Sequence, residues 1–284
     1  METKLNSIAF IGGGVMGEAM IQGLLNRQTV AASGITVSEP RDKRRAEIES
    51  RYHIHTTADN RAAVSTGEVV VFSIKPQVLS RVLSELKATL RPDQLVVSII
   101  AGGRIATLAE GLAHQAIVRA MPNTPAQIGE GLTVWTATPH VSDAQREHAR
   151  LVFQSLGKEF FFDDEKYLDM ATAVSGTGPT YTFLVLEALI DAAVHLGFSR
   201  DQAHDIVIET MRGSILFAQQ SGKHPAELRN MVTSPGGTSA EAIYQMEKGS
   251  LRTVLSKAVW AAYQKSRLLG ETVGKAEPRK PVDA

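Results

Sequence analysis

Apolar residues in the first half of the chain come in short, nearly unbroken runs separated by stretches of helical period. Residues 8–11, 69–74 and 95–100 are runs of the kind that mark strands buried on both faces. Residues 35–38, 54–56, 116–120, 132–135 and 159–162 add weaker strand signals, and the spacing predicts helices over 42–50, 76–90 and 143–156. Strands alternating with helices of this length predict a parallel, doubly wound α/β sheet. After Asp163 no strand signal returns. Helices are predicted over 180–196, 200–220, 240–248 and 252–269. Ser199 and Gln202 form a capping-box pair, Pro179 suits a first helical turn, and Gly222, Gly249 and Gly270 suit helix stops. The helix from Thr180 is apolar almost all round, with Glu187, Asp191 and His195 on one stripe, which predicts a helix buried between others in an all-α dimerisation domain. The expected organisation is therefore a dinucleotide-binding domain over 1–163, a helical domain over 164–270, and a disordered polar tail over 271–284.

The first run breaks into Gly12-Gly13-Gly14-Val15-Met16-Gly17, a G-x-G-x-x-G spacing that leads into helical periodicity. Gly12 permits a tight turn, Gly14 lets backbone N–H groups approach a pyrophosphate, and Gly17 lets the helix pack closely on the strand. The helix N-terminus then favours the diphosphate. Such a turn can be purely structural, but strand, glycines, helix and second strand arrive here in the order that dinucleotide binding requires. At the end of the second strand Ser38-Glu39-Pro40-Arg41 offers both cofactor signals. An acid there grips a ribose 2′-hydroxyl, and a base accommodates a 2′-phosphate. Glu39 is read as turned to solvent and Ser38 with Arg41 as a phosphate pair, which favours NADPH and keeps NADH open. The competing reading makes Arg41, Arg44 and Arg45 the solvated face of a surface helix.

Composition narrows the class. The 284 residues hold 43% hydrophobic and 21% charged side chains, with 30 basic and 30 acidic groups. Nothing in that balance calls for a nucleic-acid or membrane partner. Cysteine is absent, which excludes disulfides and thiolate chemistry. Residues 1–6 lack a signal-peptide core, and a cytoplasmic location is the expectation. His53 and His55 are read on one strand face with no third ligand near, so no metal is predicted.

Three further stretches carry candidate chemistry. Arg119-Ala120-Met121-Pro122-Asn123-Thr124-Pro125 follows a core strand at its carboxyl end, where open sheets bind ligands. Ser175-Gly176-Thr177-Gly178-Pro179 and Ser234-Pro235-Gly236-Gly237-Thr238-Ser239 each place N–H groups and hydroxyls at a helix start, which suits a substrate carboxylate. On the alternative reading Thr238, three residues before Glu241, is the N-cap of a capping box and Ser239 is the freer hydroxyl.

Together these residues resemble the pyrroline-5-carboxylate reductase family over roughly residues 7–269. The likeness is carried by the glycine turn, Ile74-Lys75-Pro76-Gln77, the Met-Pro-Asn-Thr-Pro stretch, Ser175 to Pro179, Glu187-Ala188, Asp191-Ala192 and Ser234 to Gly237. The resemblance implies a Rossmann domain followed by a helical domain that interlocks with a partner subunit. It implies a homodimer as the functional unit, with assembly as far as a decamer built of dimers. It also implies NAD(P)H-dependent reduction of a cyclic imine to L-proline. By the same resemblance Gly12, Gly14, Val15, Met16, Ser38, Asn60, Lys75, Pro76, Met121, Pro122 and Asn123 contact the dinucleotide, to which the glycine spacing adds Gly17 and the strand-two reading adds Arg41. The loop with Ser234, Gly236, Gly237, Thr238 and Ser239 then holds the substrate carboxylate, to which the helix-start reading adds Ser175, and the Ser239 hydroxyl, with Thr238 beside it, faces the ring nitrogen. Many relatives carry threonine at the position of Ser239, so the donor is kept and a methyl is lost. A hydroxy-acid dehydrogenase of similar plan needs a lysine on the long helix, and residues 180–196 contain none. A dinucleotide sensor without turnover would have lost the second-site hydroxyls, which are present.

Overall fold

A computed structural model describes residues 5–273. The described residues divide into two compact units, 5–177 with 262–273, and Gly178–Ala261. The first unit runs β1 (Ile8–Ile11), α1 (Val15–Asn26), β2 (Ile35–Ser38), α2 (Asp42–Tyr52), β3 (His55–Thr57), α3 (Asn60–Thr66), β4 (Val69–Phe72), α4 (Leu79–Leu86), β5 (Leu95–Ser98), α5 (Ile105–Leu112), β6 (Ile117–Met121), β7 (Gly131–Ala137), α6 (Asp143–Gln154), β8 (Gly157–Phe161) and α7 (Lys166–Ala171). Eight strands form one sheet in the order β3-β2-β1-β4-β5-β6-β7-β8. The order reverses between β1 and β4, the position at which doubly wound sheets open a ligand crevice.

The apolar runs are continuous because both sheet faces are covered. Along β1, Ile8 and Phe10 join a core cluster with Met20 and Leu24 of α1, while Ala9 and Ile11 join another with Val64, Val82 and Leu108 of α3, α4 and α5. β4 divides in the same way, Val69 and Val71 to one face, Val70 and Phe72 to the other.

Several expectations are corrected. The sheet is parallel except between β6 and β7, which pair antiparallel. Residues 122–130 hold only a 3-10 turn at Thr124–Ile128, too little chain for a parallel crossover. The expected helix over 76–90 is a 3-10 turn at Pro76–Val78 followed by α4. His53 is the left-handed C-cap of α2 and His55 lies in β3, so they do not share a strand face. Among the described residues no three His, Cys, Asp or Glu side chains gather to hold a metal.

The second unit contains α8 (Gly178–His195), α9 (Arg200–Ser221), α10 (Pro225–Met231), α11 (Thr238–Lys248) and the start of α12 (Leu251–Thr272). The Ser199–Gln202 capping box forms, and Gly222 takes φ +63° as the C-cap of α9. The expected burial of the helix from Thr180 is not met within one chain: α8 packs on α9 yet has no buried residue, and Phe183 and Leu184 are 61% and 65% exposed. Gly270 does not stop the last helix. It lies inside α12 because a Cβ there would come within 2.7 Å of Arg104 Nε, so glycine serves a close approach. Leu269 and Val273 join the β4–β5 side of the core, which returns the end of α12 to the first unit. Likewise Leu168 and Ala171 of α7 pack with Met121 and Val134, so residues 164–177 also go with the sheet. Of the tail expected over 271–284, Glu271 and Thr272 are helical, and residues 274–284 lie outside the described residues. Among the described residues no helix is long and apolar enough to cross a membrane.

Candidate active site

The glycine turn after β1 behaves as its spacing requires. Gly12 holds φ +103°, and a Cβ there would sit 2.9 Å from the Ser73 carbonyl oxygen. At Gly17 a Cβ would sit 2.8 Å from the Gly12 carbonyl oxygen, so helix and strand touch through backbone. Gly14 differs, since the nearest atom to its Cβ position is the Ser73 carbonyl oxygen at 4.0 Å. The open space beside Gly14 belongs to a cleft of about 450 Å³ lined by Gly12, Gly14, Ser38, Arg41, Asn60 and Lys75, among others. Gly14 is the N-cap of α1 and no side chain caps that helix, which leaves its first N–H groups for an anion. Val15 is exposed, and Met16 packs against the core. A crevice at the strand-order reversal, with an uncapped helix start and room for backbone approach, fits the diphosphate of a dinucleotide.

Glu39 does not point to solvent. It is 4% exposed and its carboxylate turns inward. Oε2 accepts the Gly13 N–H at 3.2 Å, and Oε1 accepts the Arg41 backbone N–H and Nε at 3.1 and 2.8 Å. Burial pushes its carboxyl up, but the Arg41 side chain and N–H and the Gly13 N–H outweigh that and hold it below the usual carboxylate range. Ser38 Oγ donates to Asn60 Oδ1 at 2.6 Å, and Asn60 Nδ2 donates to Glu85 Oε2. The acid that could have taken a ribose hydroxyl is thus spent on the turn. Arg41, 68% exposed in its side chain, remains at the rim. Arg44 and Arg45 are not a solvated face either, because Arg44 Nε donates to the Gly13 carbonyl and Arg45 Nη1 to the Glu39 carbonyl.

Lys75 and Pro76 form the turn after β4, with Lys75 exposed beside the cleft. Met121 ends β6, two strands from β4, and Pro122 and Asn123 follow it. There Asn123 Oδ1 accepts the Leu132 N–H at 2.8 Å and its Nδ2 donates to Ser175 Oγ at 3.3 Å. Ser175 sits in a π turn over Thr172–Gly176, whose Gly176 packs against Met121. In the second unit, Gly236 takes φ +69° and Gly237 is the N-cap of α11, with its N–H donated to the Ser234 carbonyl. Thr238 is the first helical residue, not the N-cap, and no side chain caps α11. Thr238 is exposed and Ser239 half-buried.

Sequence reasoning passed over Ser73, whose Oγ donates to the Gly12 carbonyl at 2.8 Å, and Arg81 and Glu85, which line the cleft. Their i, i+4 spacing on one face of α4 was the available signal. It also left Arg119 without a role. Arg119 is 1% exposed and pairs with Glu165 at 2.8 Å and Asp169 at 3.3 Å, and Asp169 accepts the Ser266 hydroxyl.

Comparison with known proteins gives the family. Residues 165–269 match a family model described as pyrroline-5-carboxylate reductase dimerisation, and residues 7–102 match one described as NADP oxidoreductase, coenzyme F420-dependent. The chain is 40% identical to a pyrroline-5-carboxylate reductase of Pseudomonas aeruginosa, over 94% of this chain and 98% of that one. It is 38% identical to that of a Synechocystis species, over 93% and 98%. The crystal structure of Plasmodium falciparum pyrroline carboxylate reductase with NADP bound superposes with a TM-score of 0.86 at 31% identity, covering 93% of this chain and 98% of that one. The chain belongs to the pyrroline-5-carboxylate reductase family.

Proposed function

We propose that the chain reduces the cyclic imine 1-pyrroline-5-carboxylate to L-proline, the last step of proline biosynthesis, with NADPH as the preferred coenzyme and NADH as a second. The observation that carries the reading is the uncapped glycine turn at the strand-order reversal, in a chain that covers 98% of reductases 38% and 40% identical to it. The first N–H groups of α1 hold the pyrophosphate, and Ser38, Arg41 and Asn60 take the adenosine ribose and its phosphate. Lys75, Pro76 and the Met121-Pro122-Asn123 turn hold the nicotinamide half. When bound, the reduced nicotinamide supplies a hydride.

The remaining work falls to the helical unit. The uncapped start of α11, with Ser234, Gly236 and Gly237 before it, takes the substrate carboxylate, and Ser175 is a substrate ligand of its own. Ser239 Oγ hydrogen-bonds the ring nitrogen and keeps its proton in place, with Thr238 as the neighbouring hydroxyl. A protonated imine carbon is already electrophilic, so the residues need to orient the substrate more than to donate a proton. The exposed apolar side chains of α8, with the dimerisation model matched over residues 165–269, support a homodimer. Assembly to a decamer and a cytoplasmic location complete the reading. The test is purified protein with NADPH and pyrroline-5-carboxylate, read as loss of reduced-nicotinamide absorbance with L-proline as product. Tight NADPH binding without turnover would overturn it.

A further inference from the structure

We propose that Arg44 is a positioning residue for the coenzyme, clamping the glycine turn through the Gly13 carbonyl while Glu18 fixes the direction of its guanidinium. Arg44 Nε donates to the Gly13 carbonyl at 2.9 Å, and its Nη2 is ion-paired with Glu18 Oε2. Glu18 lies in the first turn of α1 and also accepts from Arg51 Nη1 at 2.6 Å and the Tyr52 hydroxyl at 2.9 Å. Both partners of the pair are largely buried in their side chains, at 18% and 16% exposure. The other end of the turn is held as well. The Gly13 N–H goes to Glu39, and the Gly12 N–H goes to the Ser38 carbonyl at 2.8 Å. Two of the turn's N–H groups are thus committed to β2 and the residue after it, and those that follow, at the start of α1, are the ones left for an anion.

A flexible glycine triplet would sample many directions for those N–H groups, and each would weaken the diphosphate bonds. A planar guanidinium forked between the Gly13 carbonyl and Glu18 removes that freedom. The clamp acts on the diphosphate half that NADPH and NADH share, so it changes affinity without changing preference.

The inference rests on the dinucleotide reading of the cleft. Its test is NADPH and NADH binding by fluorescence titration, beside steady-state kinetics and thermal melts. Arg44→Met is expected to raise Kd and KM for both coenzymes by about tenfold each, with kcat within about twofold. Arg44→Lys recovers part of that loss, because a point charge reaches one acceptor and not two. Glu18→Gln is expected to weaken binding less, and Arg44→Met with Glu18→Gln no more than Arg44→Met alone, since Glu18 acts through Arg44. A loss confined to NADPH would overturn the proposal and make Arg44 a ligand of the 2′-phosphate. A lower melting temperature with unchanged Kd would overturn it in favour of a merely structural role. Absence of binding by the unaltered protein would sink the dinucleotide reading itself.

Discussion

The three glycines of the turn make separable demands, and substituting them one at a time separates stability from binding. Gly12→Ala places a Cβ 2.9 Å from a carbonyl oxygen at φ +103°. Backbone strain of about 1–3 kcal/mol adds there to a packing cost of about 1–3 kcal/mol. Gly17→Ala keeps an allowed backbone but drives a Cβ to 2.8 Å from the Gly12 carbonyl oxygen, which costs roughly 1–3 kcal/mol. At Gly14 the Cβ of a substituted valine meets nothing closer than 4.0 Å and the N-cap stays extended, so the cost stays under about 1 kcal/mol. At roughly 2–4 °C per kcal/mol for a domain of this size, thermal melts should rank Gly12→Ala well below Gly17→Ala and leave Gly14→Val nearly at wild type. Binding should follow a different order. A side chain at Gly14 projects into the cleft and lifts the diphosphate off the α1 N–H groups. Losing one charge-assisted hydrogen bond, about 1.5–3 kcal/mol, weakens NADPH at least about tenfold. Calorimetric melts and NADPH titrations on the three variants read both quantities. A Gly14→Val protein that binds NADPH as wild type does would refute the assignment of those N–H groups to the diphosphate.

Arg41 is the exposed base at the cleft rim, so Arg41→Gln should raise KM for NADPH about tenfold and leave KM for NADH nearly unchanged. Equal effects on both would contradict its role at the phosphate. Arg119→Met leaves Glu165 and Asp169 without their cation. With Glu165 partly exposed, roughly 2–4 kcal/mol should be lost, seen as a lower denaturant midpoint at unchanged m-value. Acid should destabilise the protein through Glu18 and Glu39. For Glu18, as for Glu39, burial pushes the carboxyl up, but bonds from Arg44 and Tyr52 and the charges of Arg44 and Arg51 bring it below the ordinary range. A carboxyl depressed in the folded state stabilises above its unfolded value, and that contribution fades as pH falls through the depressed one. The melting temperature should therefore hold through neutral pH and drop below the carboxylate range, and Glu18→Gln with Glu39→Gln should flatten that drop. Superimposable acid profiles would contradict it.

How much was legible in the sequence follows from what each signal encodes. β1, β4 and β5 were readable because a strand covered on both faces is apolar at nearly every position, and Ser199 with Gln202 was readable because a capping box is local. The direction of β7 was not, since strand polarity leaves no periodicity and only the short 122–130 connection hints at it. Glu39 was misread because an acid after a strand carries no mark of which way it turns; the Gly13 N–H and Arg41 decide that in three dimensions. Gly270 looked like a stop, and its reason lies across the fold at Arg104. The apolar girth of α8 predicts burial, and that expectation is not met: no described residue of α8 is buried, because an apolar surface carries no mark of whether its cover comes from the same chain.

Hydride transfer to the imine carbon is the claim on which the rest depends. Reduced coenzyme deuterated at its transferable position, turned over with unlabelled pyrroline-5-carboxylate, should yield L-proline carrying a single deuterium on the ring carbon beside nitrogen, across from the carboxylate-bearing carbon. Oxidation of the coenzyme with no deuterium at that carbon would contradict the account.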